Sequence, residues 1–157
     1  MKEESFHELK KRQGEELRAI PFFAAFSQEQ FKEGVARLGL PPGSDEVASV
    51  GWGCFVRKAD LARWRDLGNA HYREIREWVE GCLGDEGRRP LLVRAIADEL
   101  ANREYGYTRD WAQVEEALAP FGLDLEDTGE DARLADVVGE ACARCVEDYE
   151  RLARKER

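Results

Sequence analysis

The sequence predicts a helix-dominated α+β fold, with a small three-stranded antiparallel sheet packed against four or five helices. Three observations predict it. Apolar residues recur every three or four positions over most of residues 60–157. Two runs rich in aromatic and β-branched residues, Phe22 to Phe26 and Val47 to Val56, break that pattern earlier in the chain. Finally, 157 residues with 43% apolar content, including four Trp, four Tyr and seven Phe, can bury a core without a disulfide or metal staple. The length fits one domain, residues 1–157, with the charged stretch 1–20 as an N-terminal helix at its periphery.

Each element has its own signal. Residues 2–19 are charged with sparse apolar positions, Phe6, Leu9, Leu17 and Ile20, and read as a surface helix interrupted at Gly14 and ended by Pro21. Phe22 to Phe26 reads as a buried strand. Ser27 with Gln30 forms a capping box that starts a helix with Phe31, Val35 and Leu38 on one face, closed by Gly39. Val47 to Val50 and Cys54 to Val56 flank Gly51-Trp52-Gly53 as a hairpin with a three-residue turn. Asp60 is expected to cap a long helix to about Leu83, with a seam through Leu61, Trp64, Gly68, His71, Ile75, Trp78 and Cys82. Gly68 on that seam would leave room for close packing. Pro90 stands where a first helical residue belongs, before Leu91, Ala95, Ile96 and Leu100. Thr108 is expected to cap a helix carrying Trp111, Val114 and Leu118 that stops before Pro120. Asp124 to Asp131 reads as an acidic loop or short turn. The last helix begins near Glu130, and Leu134, Val137, Val138, Ala141, Cys142, Cys145, Tyr149 and Leu152 line one face. Its basic end suits the negative end of the helix dipole.

Charge is distributed unevenly. Residues 91–131 hold eleven carboxylates against three arginines, a net of −8 in a chain whose total is −9. Such a field attracts basic partners and repels phosphate backbones, so direct nucleic-acid binding is disfavoured. The N-terminus lacks the apolar core of a secretory signal, and no stretch approaches about 18 consecutive apolar residues, so no membrane span is expected. A cytoplasmic chain follows as the expectation, with Cys54, Cys82, Cys142 and Cys145 as reduced thiols.

Three blocks in order, Phe22 to Leu40 (FFAAFSQEQFKEGVARLGL), Val50 to Lys58 (VGWGCFVRK) and Asp98 to Tyr107 (DELANREYGY), resemble an uncharacterised family of small bacterial and mobile-element proteins. Its members read like FAFSNEQFEEG, then SIGAGGFIRK, then YELANHEY. Gly53 and Phe55 match the Gly-Phe of the middle block, and Glu99 to Asn102 match the ELAN. Trp52 and Cys54 stand where small residues are common, and Arg103 where His is common. The resemblance covers about residues 20–125 and implies no established activity.

The candidate chemistry is sparse. Cys142-Ala143-Arg144-Cys145 has CxxC spacing, which could chelate zinc or cycle as a dithiol. It lies inside a helix whose seam uses both positions, so small buried hydrophobes are expected. His71 at a seam position reads as a core histidine bonded to a carboxylate or carbonyl. As a catalytic group it would work with Asp98 or Glu99. Asp98 and Asn102 share a helix face. Asp124, Glu126, Thr128 and Gly129 imitate part of an EF-hand loop, but the twelfth position is Ala135 rather than Glu.

The functional expectation is a non-enzymatic protein-binding module that needs no cofactor. Its acidic 91–131 surface would meet a basic protein partner, with Asp124, Glu126, Asp127, Glu130, Asp131 and exposed Trp52 as contacts. An inhibitor or DNA mimic of a mobile element fits that expectation if the acids share one face. The alternatives are an enzyme using His71 with Asp98 or Glu99, and a metal-binding protein using its cysteines. Oligomeric state is left open.

Overall fold

A computed structural model describes residues 3–157, so Lys2, within the expected first helix, lies outside the described residues. The described residues form eight α-helices and one three-stranded antiparallel sheet, the helix-dominated α+β class that the periodicity predicts. The helix count exceeds four or five: six longer helices are joined by two short ones, in the acidic stretch and after Asn102. No helix among the described residues is long and apolar enough to cross a membrane.

The chain divides into two compact units, residues 1–9 with 72–157, and residues 10–71. The division falls within α1 (Phe6–Arg18) and within α3 (Leu61–Leu83). The residues of the smaller unit carry +2 and those of the larger −11.

The smaller unit holds the sheet, β1 (Phe22–Ala24), β2 (Val47–Gly51) and β3 (Cys54–Arg57), in the order β1-β3-β2. Alternation along β1 sends Phe23 to one face and Phe22 to the other. Phe23 packs against Phe31 of α2 (Gln28–Arg37) and stacks on Phe55, with Val35 and Leu38 beneath. Phe22 meets the edge of Trp64 on α3. The strand is shorter than expected, and Phe26 beyond it is 81% exposed. Ser27 caps α2 as expected through Gln30 N, but Gln30 Oε1 accepts from Phe26 N at 2.8 Å, one residue before the cap. Gly39, at φ +75°, then ends α2 with paired bonds from Gly39 N to Ala36 O and from Leu40 N to Val35 O, the αL cap that glycine permits. Gly14 does not interrupt α1, because a single glycine costs a helix only about 1 kcal/mol. Asp60 does not cap α3. Its carboxylate takes the Arg57 guanidinium at 2.9 Å within a 3₁₀ turn. Gly68 is exposed with nothing near it, so it serves no close approach.

The hairpin turn is tighter than the glycines suggest. Gly51 pairs with Cys54, leaving Trp52-Gly53 as a two-residue loop with a bulge before it. Both loop residues have positive φ, +56° and +72°, as a type I′ turn demands. Asn or Gly suits the first position. Trp52 occupies it while 95% exposed, with no burial to offset the strain. Replacing Trp52 with Asn is therefore expected to raise stability by about 1 kcal/mol, the typical left-handed penalty of an L-residue. Urea denaturation checks it, and an unchanged midpoint would contradict it.

The larger unit is all helix. Its core is built on α4 (Arg89–Asn102), α6 (Trp111–Leu118) and α8 (Ala132–Lys155), with Leu92, Ile96, Leu100, Val114, Leu118, Leu134 and Val137 fully buried. Phe6 closes one side against Trp78 and Phe121, and Trp78 Nε1 donates to Glu4 O at 2.8 Å. Asp110, not Thr108, caps α6, accepting from Ala112 N at 3.0 Å. Thr108 instead ends a one-turn helix, α5 (Tyr105–Thr108). Of the apolar residues α6 carries, Val114 and Leu118 are buried and Trp111 is 66% exposed.

Candidate functional site

The acidic stretch is a helix, α7 (Leu125–Glu130), and much of its charge already has a task. Asp124 accepts from Asp127 N at 3.0 Å while Asp127 accepts from Asp124 N at 2.8 Å, a reciprocal capping box. Asp131 caps α8 through Arg133 N and pairs with the Arg133 guanidinium at 2.9 Å, which holds its carboxyl below the usual range. Glu126 and Glu130 are exposed without such a task. Of the five acids expected as contacts, these two have no capping role.

The other candidates are dispersed. His71 Nε2 meets Glu16 Oε2 at 2.9 Å, and that bond, with Arg12 beside it, lowers the Glu16 carboxyl. The His71 carbonyl accepts from the buried Gln13 amide at 3.1 Å. Asp98 pairs with Arg94 at 3.4 Å, and Glu99 with Arg103. The four cysteines are free thiols, and among the described residues no group of three or more metal-ligating side chains includes one of them.

Burial sets the thiol chemistry. Desolvation pushes Cys82 up to about 11 and raises Cys142 and Cys145 as well. The thiolate is the reacting form, so these three are expected to label slowly with a disulfide reagent at neutral pH, while half-exposed Cys54 labels first. Counting thiols released with time in native and urea-unfolded protein checks this. Rapid native labelling of Cys82 would contradict it.

What the structure does assemble is a groove beside α8. The α8 seam continues past its packing partners. Leu134, Val137, Val138, Ala141 and Cys145 are buried, whereas Tyr149 and Leu152, expected on the same buried face, are 41% and 58% exposed. Of the two helices, α8 has 24 residues and α4 has 14. At 1.5 Å per residue α8 is the longer by roughly 15 Å.

Together with α4 and α5, this free end lines a groove of about 780 Å³. Ala97, Gly106 and Cys145 form its buried floor, and Tyr107, 71% exposed, faces Tyr149 edge-on with ring centroids 6.0 Å apart. Charged pairs stand on the rim, Arg94 with Asp98 and Arg151 with Asp148 at 2.8 Å, alongside Glu104 and Arg144. Gly106 lets α5 approach closely, since a methyl group there would lie 2.6 Å from Tyr149 Cβ and 3.1 Å from Cys145 O.

The turn that presents Tyr107 is strained. Glu104 and Arg109, flanking α5, both adopt left-handed φ, +59° and +53°. Such residues concentrate at binding and active sites, where surrounding packing holds them. Here Arg109 is tied to Glu150 of α8 at 2.8 Å, and Tyr105 is buried with its hydroxyl bonded to Cys142. Burial first, and that bond second, push Tyr105 up to about 12.

These features define the class: a helix-rich α+β protein with an open, apolar, charge-rimmed groove. The chain belongs to a family of unknown function, DUF7659, whose model matches residues 5–144. Membership of an uncharacterised family agrees with what the three blocks imply. No curated protein and no solved structure matches the chain.

Proposed function

We propose that this protein is a non-enzymatic protein-binding module whose α4–α5–α8 groove receives an amphipathic helix of a basic partner. The observation that carries the reading is the α8 seam emerging from the core at Tyr149 and Leu152 beside Tyr107. Cys145, Tyr149 and Leu152 repeat at helical spacing, and a helix laid along them offers apolar residues at the same step. Charge supports a basic partner, because the residues of this unit sum to −11. The pairing of His71 with Glu16, Asp98 with Arg94 and Glu99 with Arg103 supports a binder over an enzyme. Four free thiols are what a reducing cytoplasm maintains. In the bacterial and mobile-element setting that the resemblance implies, such a module would act as an inhibitor by occupying a partner's basic surface.

The test is affinity capture run in parallel with wild-type protein and with Tyr107→Ser and Leu152→Asp, both at exposed positions that leave the core intact. A basic protein retained by the wild type and lost from both variants is expected. Its association rate should fall with rising salt, and that slope should flatten in Glu115→Gln/Glu126→Gln/Glu130→Gln, which spares the caps. Retention of the same proteins by all variants would overturn the groove as the site.

A further inference from the structure

The smaller unit has an unprotected sheet edge. In the order β1-β3-β2, strand β2 has a neighbour on one side only. Lys58 N donates to Glu46 O at 2.8 Å, and the register continues through Ala48 with Val56. Antiparallel pairing alternates hydrogen-bonded and outward-facing residues, so the N–H and C=O groups of Val47 and Ser49 point away from β3. Among the described residues no backbone bond to another segment covers them. Edges of this kind carry protective charge or proline. Val47-Ala48-Ser49-Val50-Gly51 has neither.

We propose that a second copy of this chain covers the edge, with β2 pairing antiparallel to β2 of its partner about Ala48. Val47 then lies opposite the partner's Ser49, and each position exchanges both backbone bonds. The register is self-complementary, as a two-fold interface requires. Charge complementarity argues for a copy as occupant. Exposed Asp45 and Glu46 precede the strand, and exposed Arg65 lines a trough beside Ser49 and Val50 at its far end. Among the described residues no ion pair joins any of the three to another residue. The two-fold operation brings Asp45 and Glu46 of one copy to the Arg65 end of the other. The edge also belongs to the unit whose residues carry +2.

Sedimentation equilibrium over a rising concentration series tests the pairing, with the full chain as its own probe. Wild-type protein is expected to dimerise reversibly in the micromolar range. Ser49→Pro, which removes an outward N–H, and Arg65→Glu, which inverts the charge at the far end, should each weaken dimerisation about tenfold or more. Arg65→Glu is an exposed change and remains informative if Ser49→Pro fails to fold. The combination Arg65→Glu/Glu46→Arg should restore association. A wild type that stays monomeric throughout, or a dimer indifferent to Ser49→Pro and Arg65→Glu, overturns the proposal.

Discussion

Replacing Gly106 with Val is expected to part α5 from α8 and to destabilise the protein by about 3 kcal/mol, the upper end for overpacking a close contact. A Cβ at 106 meets Tyr149 Cβ at 2.6 Å and the Cys145 carbonyl oxygen at 3.1 Å. The carbonyl belongs to α8's own backbone and cannot turn aside. The turn would have to move, carrying Tyr107 away from Tyr149 and opening the groove. Gly139 on the same helix supplies the control, because nothing lies within 4 Å of a side chain there. Gly139→Ala should raise stability by about 1 kcal/mol through helix propensity alone. Thermal and urea unfolding of the two variants should therefore shift in opposite directions. A Gly106→Val protein as stable as the wild type would mean that α5 does not pack on α8 as described.

Gly34→Val should be comparably damaging and confined to the smaller unit. Its Cβ would fall 2.1 Å from Phe23 Cδ2, inside the ring that joins α2 to the sheet. Phe23 cannot swing away, because it stacks on Phe55 at 5.3 Å and meets the edge of Phe31 at 5.7 Å. The core here is small, with Phe23, Val35 and Leu38 as its buried residues, so losing one aromatic removes much of it. Truncating a buried Phe costs about 3–5 kcal/mol, and expelling it should cost as much. Hydrogen exchange is the informative readout. Amides of β1, β3 and α2 should lose protection, while those of α4 and α8 keep theirs. Uniform loss across the chain would show the two units unfolding together.

Both glycines illustrate where sequence reading stopped. Local chemistry was legible: Ser27 as a cap, Gly39 as a C-terminal αL residue, Pro90 in the first turn of its helix, and the 3.6-residue periods of α4 and α8. Each depends on residues within a turn or two of one another, so adjacent sequence holds the information. The fold class followed from these signals together. Caps chosen among neighbouring candidates were harder. Thr108 and Asp110 both suit an N-cap, and only the tertiary path, turning left-handed at Glu104 and Arg109, selects Asp110.

The groove was not legible, because an apolar seam reads alike whether or not something covers it. Tyr149 and Leu152 continue the period of Leu134 to Cys145 without a break. What leaves them open is how α4 and α5 pass α8, an arrangement of elements distant in sequence. The acidic surface shows the converse. Composition placed −8 within residues 91–131, yet only the fold brings Arg103 to Glu116 at 3.8 Å and Arg109 to Glu150 at 2.8 Å. Composition counts charges, while the field a partner meets depends on which carboxylates stand beside a cation, and that is settled by three-dimensional neighbours.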